Sequence, residues 1–174
     1  KRFFDVLFSV FVILFVFSWL VPIIALLIKL ESKGPVFFYQ KRTGVNNKVF
    51  TCIKFRTMQE NPWSDTLQAS KNDPRVTKVG AILRRFSLDE LPQFINVLKD
   101  EMSVVGPRPH TVPMNEVFKQ RLGKYNNRHC IKPGITGLAQ VLGYRGEIST
   151  HWQIKSRVKL DYFYVRKWSF FLDI

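Results

Sequence analysis

Cysteine is scarce: the 174 residues hold only Cys52 and Cys130, with no CxxC spacing, which argues against a disulfide scaffold or a structural zinc site. A P-loop, a GxGxxG after a strand, an HExxH and a GxSxG are all missing, so the common nucleotide-binding and hydrolase signatures are excluded. No internal repeat or low-complexity segment occurs. Gly and Pro, nine of each, are at ordinary levels, and 46% hydrophobic residues exclude a disordered or collagen-like chain. Negative charge is the scarce sign: 13 Asp and Glu face 27 Lys and Arg, a formal net charge of +14. The length suits one domain with an appended segment. Beginning at Lys1 and stopping at Asp173-Ile174, the chain reads as a piece of a longer protein.

The apolar residues are concentrated. Residues 6–28, VLFSVFVILFVFSWLVPIIALLI, are 23 positions without a charge. As a helix this run is roughly 34 Å long, enough to cross the hydrocarbon of a bilayer. It is too long for a signal peptide and no small-residue cleavage site follows it. Membrane insertion is therefore expected. A spanning helix should carry its positive charge on one side, yet Lys1 and Arg2 precede the run and Lys29, Lys33, Lys41, Arg42 and Lys48 follow it. Pro22 lies deep in the run and leaves the carbonyl of Ser18 without its helical donor. The two together suggest a helix bent within one leaflet, both ends on the cytoplasmic face; a kinked spanning helix accounts for Pro22 equally well.

Residues 31–174 hold 24 bases against 12 acids, a balance that attracts nucleic acid, anionic lipid or phosphorylated small molecules. The bases are scattered through structured-looking sequence, which favours a folded phosphate-handling site over a polybasic tail. Strands are expected at 36–40 and 48–55 around a turn with Gly44 and Asn46-Asn47, helices at 77–86, 90–99, 112–122 and 150–166, and a polar loop at 59–74. A rigid turn, Gly106-Pro107-Arg108-Pro109, and a Gly-rich stretch with a short strand at 133–146 complete the outline. The fold class is α+β, mainly helical with a small antiparallel sheet.

With acids so few, Asp89-Glu90 in RRFSLDELPQ stands out. Ser87-Leu88-Asp89-Glu90 matches a capping box, although Pro92 would then interrupt the ladder; with Asp89 as the N-cap, Pro92 falls in the first turn. Either arrangement puts both carboxylates at a helix N-terminus near Arg84 and Arg85, a site that favours bound anions. Capping alone explains the pair. The alternative is an ionised Asp that ligates a divalent cation or attacks a phosphorus. Lys54 and Arg56 should share one face of a strand, Arg108 is fixed between two prolines, and Arg145 lies in the Gly-bounded turn 143–146. Each reads singly as a solvated base and jointly as a diphosphate cradle. His110, His129 and His151 are isolated and read as core or surface residues. Residues 157–174 mix bases with Tyr162, Phe163, Tyr164, Trp168, Phe170 and Phe171, which suits either a headgroup interface or an amphipathic core helix.

The stretches KFRTM (54–58), SLDELPQ (87–93), SVVGPRP (103–109) and KPGITGLAQV (132–141) resemble the bacterial sugar transferase family, the monotopic phosphoglycosyl transferases. The likeness covers nearly the whole chain, from KRFFD to the WSxxxD ending at Asp173. It implies a re-entrant membrane helix over 1–33 and a cytoplasmic catalytic domain over 34–174, at the cytoplasmic face of the bacterial plasma membrane. It also implies transfer of a sugar phosphate from a UDP-sugar to undecaprenyl phosphate, with UMP released, initiating exopolysaccharide, capsule or O-antigen synthesis. By the same resemblance Asp89 is the nucleophile and a Mg²⁺ ligand, Glu90 assists in positioning and metal binding, and Arg108 matches a nucleotide-binding residue. Lys54, Arg56, Arg84 and Arg145 are candidates for phosphate contacts, and Ser18 and Pro22 mark the membrane bend. GYRGE (143–147) looks like the hexose-1-phosphate subgroup, glucose in particular with galactose or an N-acetylated sugar as the alternative, and members of that subgroup often carry further N-terminal membrane helices. The family's Ser-Pro break is here Val21-Pro22, with Ser18 a turn earlier. Membrane lipid is an expected partner, nucleic acid is not, and a homo-oligomer is compatible with this reading. Two other classes fit parts of the sequence: a non-catalytic basic membrane module, and a glycosyl transferase that would release the nucleoside diphosphate.

Overall fold

The computed structural model describes residues 1–60, 70, 73–146 and 150–174. The apolar run forms one helix, Arg2–Glu31, long and apolar enough to cross a membrane by length and composition. It divides into α1 (Arg2–Val12), a π-helical turn (Ile13–Phe17) and α2 (Ser18–Glu31), with Pro22 inside α2. The helix does not end at Ser18-Pro22. The irregularity sits one turn earlier, where the ladder widens, and the Trp19 indole N–H donates to the Phe15 carbonyl at 2.9 Å. A widened turn is a common way for a helix to absorb a fault in its ladder. Phe3, Leu7, Phe11, Leu14, Phe15, Trp19, Leu26 and Leu30 are exposed along this helix, while Val12, Ile24 and Ile28 are buried.

Both ends of the helix are tied to the rest of the chain. Asp5, buried on α1, accepts hydrogen bonds from Ser103 Oγ at 2.8 Å and from the Val104 N–H at 3.0 Å. Lys1 pairs with Asp173 at 2.7 Å. At the far end Arg56 donates to the carbonyls of Ser32 and Lys33, just past α2. Glu31, the last residue of α2, accepts from the N–H groups of Lys78 and Val79 at 2.7 and 2.9 Å and so caps α3 (Lys78–Arg85). A carboxylate at a helix N-terminus is where the orphan donors and the macrodipole favour it.

The expected hairpin is present: β1 (Phe37–Thr43) pairs antiparallel with β2 (Val49–Phe55) around a turn in which Asn46 and Asn47 take positive φ. A second two-stranded sheet was not expected. Its strands, β3 (Ser103–Val105) and β4 (Gly134–Thr136), run parallel, so only one of the two sheets is antiparallel. The parallel contact is close because a Cβ at Gly134 would lie 2.1 Å from the Gly106 nitrogen. Of the helix expected at 90–99, only α4 (Gln93–Leu98) is α-helical; Pro92 precedes it as the N-cap. The remaining helices are α5 (Val112–Arg121), α6 (Leu138–Val141), α7 (His151–Lys167) and α8 (Phe170–Asp173), with a 3₁₀ segment at Tyr125–Cys130. Most of the loop at 59–74, and Glu147, lie outside the described residues.

The main core joins Val12 of α1 to Phe50 and Cys52 of β2, Phe94 and Val97 of α4, Val104 and Val105 of β3, and Tyr164 of α7. A second cluster packs Ile24 and Ile28 of α2 on Phe55 and Leu83. Helix α3 approaches the segment that follows β2 closely enough that a Cβ on Gly80 would lie 2.1 Å from the Thr57 carbonyl oxygen. Gly80→Ala ought to gain helix propensity, about 1 kcal/mol. The clash with fixed backbone outweighs that gain, so a lower thermal midpoint is expected; a midpoint at or above the parent's would show that α3 is free to shift.

Candidate functional site

The Asp-Glu pair lies in a 3₁₀ turn, Leu88–Glu90, between α3 and α4. Ser87 enters it with φ 60°, a left-handed conformation that is strained for a residue with a side chain, and makes no side-chain cap. Neither capping arrangement expected from the sequence is therefore formed, because Pro92 starts α4 and leaves Asp89-Glu90 one turn upstream. Asp89 and Glu90 are 8% and 5% exposed.

The two carboxylates have opposite surroundings. Glu90 Oε1 accepts from Lys54 Nζ at 2.7 Å and Arg108 Nη2 at 2.6 Å, and Oε2 accepts from Arg108 Nη1 at 3.1 Å. Burial raises its pKa, but Lys54 and Arg108 outweigh burial and hold the carboxyl well below the usual range. Asp89 accepts no hydrogen bond among the described residues. Burial pushes its pKa up; Lys54 pulls it back and the Glu90 charge raises it further. Side by side, then, stand a locked anion and a poorly solvated one, the second being the more basic and the less encumbered.

The neighbouring elements hold this pair in place. Asn96 of α4, fully buried, accepts from the Ile53 N–H at 3.0 Å and donates to the Thr51 carbonyl at 2.7 Å. It thereby satisfies the free edge of β2 and sets the Lys54 strand against the Glu90 turn. Arg42 of β1, read in the sequence only as flanking charge, donates to the Pro109 carbonyl and to Gln40. Asn96 was not singled out from the sequence, where it is one polar residue within an expected helix.

Of the predicted bases, Lys54 and Arg108 reach Glu90, and Arg84, bonded to Thr57 Oγ1 at 2.8 Å, lies within electrostatic reach of Asp89. Arg56 is elsewhere: β2 ends at Phe55, and the guanidinium turns to the end of α2. The expected Lys54–Arg56 face is thus not formed. Arg145 is exposed between Gly143 and Gly146, both at positive φ, and lines a cavity of about 270 Å³ with Glu90, Leu91, Phe94, Ile135 and Gln140. Among the described residues no group of three or more His, Cys, Asp or Glu could hold a metal. The site therefore offers a divalent cation one uncommitted carboxylate, Asp89. That suits Mg²⁺, which commonly takes one or two carboxylates plus substrate phosphates; Glu90 could join only by releasing Lys54 or Arg108.

Two of the three histidines are buried near this site. His129 donates from Nδ1 to Asn47 Oδ1 at 2.7 Å, and burial beside Arg128 pushes its pKa down to about 4. The unfolded chain binds this proton near pH 6.5, so the stability held above that pH is lost as pH falls toward 4. The stability difference between the parent and His129→Gln should shrink on acidification from pH 7 to 5, by up to about 1.4 kcal/mol per pH unit. A constant difference in denaturant titrations would mean that His129 titrates alike in the folded and unfolded chain.

Comparison with known proteins places the chain in a lineage. The family model described as bacterial sugar transferase matches residues 1–174. Over its full length the chain is 51% identical to the UDP-glucose:undecaprenyl-phosphate glucose-1-phosphate transferase of Escherichia coli K12, covering 38% of that protein. It is 42% identical to the UDP-N-acetylgalactosamine-undecaprenyl-phosphate N-acetylgalactosaminephosphotransferase of Aeromonas hydrophila, covering 41% of it. It is also 43% identical to the exopolysaccharide production protein PSS of Rhizobium leguminosarum bv. phaseoli, and there it spans 89% of the relative.

Proposed function

The chain belongs to the bacterial sugar transferase family, and from that membership we propose that it transfers a hexose 1-phosphate, glucose favoured, from a UDP-sugar to undecaprenyl phosphate with release of UMP. The product would initiate a surface polysaccharide. The observation that carries this reading is the pairing of a buried Asp89 that accepts no hydrogen bond among the described residues with a Glu90 held by Lys54 and Arg108.

An Asp89 carboxylate oxygen attacks the β-phosphorus of the donor. The bond from that phosphorus to the bridging oxygen breaks, UMP leaves with the oxygen, and the sugar phosphate stays on Asp89 as an acyl phosphate. A phosphate oxygen of undecaprenyl phosphate then attacks the same phosphorus, and the Asp89 carboxylate leaves. Burial of Asp89 limits its hydration, which favours attack. Lys54 and Arg108 sit where negative charge gathers around the phosphorus, and Glu90 fixes their geometry. Arg84, within electrostatic reach of Asp89, and Arg145, in the cavity that Glu90 also lines, suit the outer phosphate and the sugar. Mg²⁺, when bound, would neutralise diphosphate charge, with Asp89 as the protein residue holding it.

The same reading places the long apolar helix in one leaflet on the cytoplasmic face of the plasma membrane. Supporting it are the basic flanks, the π turn ahead of Pro22, and the anchoring of both helix ends to one catalytic domain. Helix α7 supports an interfacial position because its composition is inverted for a core helix: Arg157 and Asp161 are buried while Trp152 and Phe163 are exposed. The donor sugar has a second candidate, N-acetylgalactosamine, since one relative named for it is 42% identical.

The test is the identity of the released nucleotide. Detergent-solubilised protein is incubated with Mg²⁺, undecaprenyl phosphate and UDP-glucose or UDP-N-acetylgalactosamine in parallel. UMP is the expected product, most rapidly from UDP-glucose; UDP in its place would mean glycosyl transfer and overturn the proposal.

A further inference from the structure

The turn that carries Arg108 is gripped at four consecutive carbonyls, each by a different residue. Pro107 accepts from the Gly134 N–H at 3.0 Å, Arg108 from Arg128 Nη2 at 2.7 Å, Pro109 from Arg42 Nη1, and His110 from the Thr43 N–H at 3.1 Å. The grip on Arg108 itself differs from the rest, because its donor is a guanidinium only 2% exposed.

Every nitrogen of that guanidinium is engaged. Nε and Nη2 meet Asp161 Oδ2 at 3.0 and 2.7 Å, Nη2 also meets the Arg108 carbonyl, and Nη1 meets His110 Nδ1 at 2.9 Å and Tyr125 Oη at 3.1 Å. Burial and the surrounding arginines hold His110 neutral, which leaves its Nδ1 able to accept. Asp161, on α7 and 3% exposed, is the counter-charge that makes burial of Arg128 affordable. A guanidinium engaged at all three nitrogens cannot rotate without breaking a charge-assisted bond, and the carbonyl it grips adjoins the Cα from which Arg108 reaches Glu90.

We infer that Arg128, oriented by Asp161, is the positioning residue for Arg108: it sets the backbone from which Arg108 addresses Glu90 and the donor diphosphate. The inference rests on the reaction proposed above. It makes α7, remote in sequence from the Asp-Glu pair, a determinant of donor handling.

The experiment is a mutant cycle. Asp161→Asn and Arg128→Lys are each made in the parent and in Arg108→Lys, and kcat and KM for UDP-glucose are followed through UMP. In the parent each should lower kcat/KM by about tenfold or more, the scale expected when a misplaced group no longer meets its target. In the Arg108→Lys background the further loss should be under about twofold, because residues acting through one another are not additive. Equal losses in both backgrounds overturn the inference, since a purely structural role is blind to Arg108. Amide exchange over residues 106–111 gives a reading independent of turnover: it should rise in Asp161→Asn, and unchanged exchange there overturns the clamp. A parent that releases UMP from no donor would sink the reaction while exchange still decides the clamp. Should Asp161→Asn fail to fold, Arg128→Met with Asp161→Leu removes both buried charges and leaves the Arg108 carbonyl without its donor, and the same cycle is run on it.

Discussion

Asp89→Asn should abolish UMP release from UDP-glucose, by at least about 10³-fold, while leaving the protein as stable as the parent or more so. The rate loss is of the size seen when one essential member of a catalytic group is removed. It follows from chemistry: an amide of the same shape has no anionic oxygen to form the bond to phosphorus. The stability outcome follows from the site. Asp89 is 8% exposed, its charge is raised in energy first by burial, and the Glu90 charge adds to that. An uncharged side chain relieves both, and these outweigh the pull of Lys54, Arg84 and Arg108 that is lost in exchange. Active sites commonly hold such stability in reserve. In the parent, UMP release should fall on acidification through the Asp89 pKa, which lies above the ordinary aspartate value of about 3.9. Turnover in the variant within tenfold of the parent would remove Asp89 from the nucleophile's role, and a lower melting temperature would mean that its charge supports the fold.

Glu90→Gln has the opposite profile, with stability and activity falling together. The carboxylate answers two partly buried cations, Lys54 at 2.7 Å and Arg108 at 2.6 and 3.1 Å. A neutral amide leaves both uncompensated and turns an N–H₂ toward one of them. Breaking a buried pair from one side destabilises by about 3–5 kcal/mol, to be read by denaturant titration at pH 7. Adding Lys54→Met to Glu90→Gln should recover part of that loss by removing one orphaned cation, without restoring UMP release. A change under about 1 kcal/mol would put the cluster among solvated surface pairs and would undercut the contrast between the two acids. The profiles together separate the residues: one is costly to the fold and needed for chemistry, the other supports both.

Much of the site was legible because its chemistry depends on residue types that are rare in this chain. Asp89-Glu90 stood out among 13 acids facing 27 bases, and Lys54 and Arg108, picked out as bases in constrained settings, meet at Glu90. Arg56 misled because period-two alternation extends only as far as the strand, and β2 stops one residue before it. Ser87-Leu88-Asp89-Glu90 misled because a capping box is a local pattern that needs a helix beginning there, and Pro92 defers that beginning. The hydrogen-bonded capping box that the structure does form is Thr150 with Gln153, at the start of α7. Arg128 and Asp161 carried no signal at all: 33 positions separate them, and each alone is an ordinary charged residue.

By itself, then, the sequence determined the apolar N-terminal helix, the hairpin, the order of the main helices and the identity of the acids. All of these rest on length, periodicity or residue chemistry, which act over a few neighbouring positions. Tertiary structure alone decided that Glu90 is locked and Asp89 free, that Arg56 serves the end of α2, that β3 and β4 run parallel, and that α7 grips the Arg108 turn. Those outcomes depend on which distant groups are brought within about 3 Å in a medium poorer than water. There, two adjacent carboxylates of nearly equal intrinsic acidity become different chemical objects.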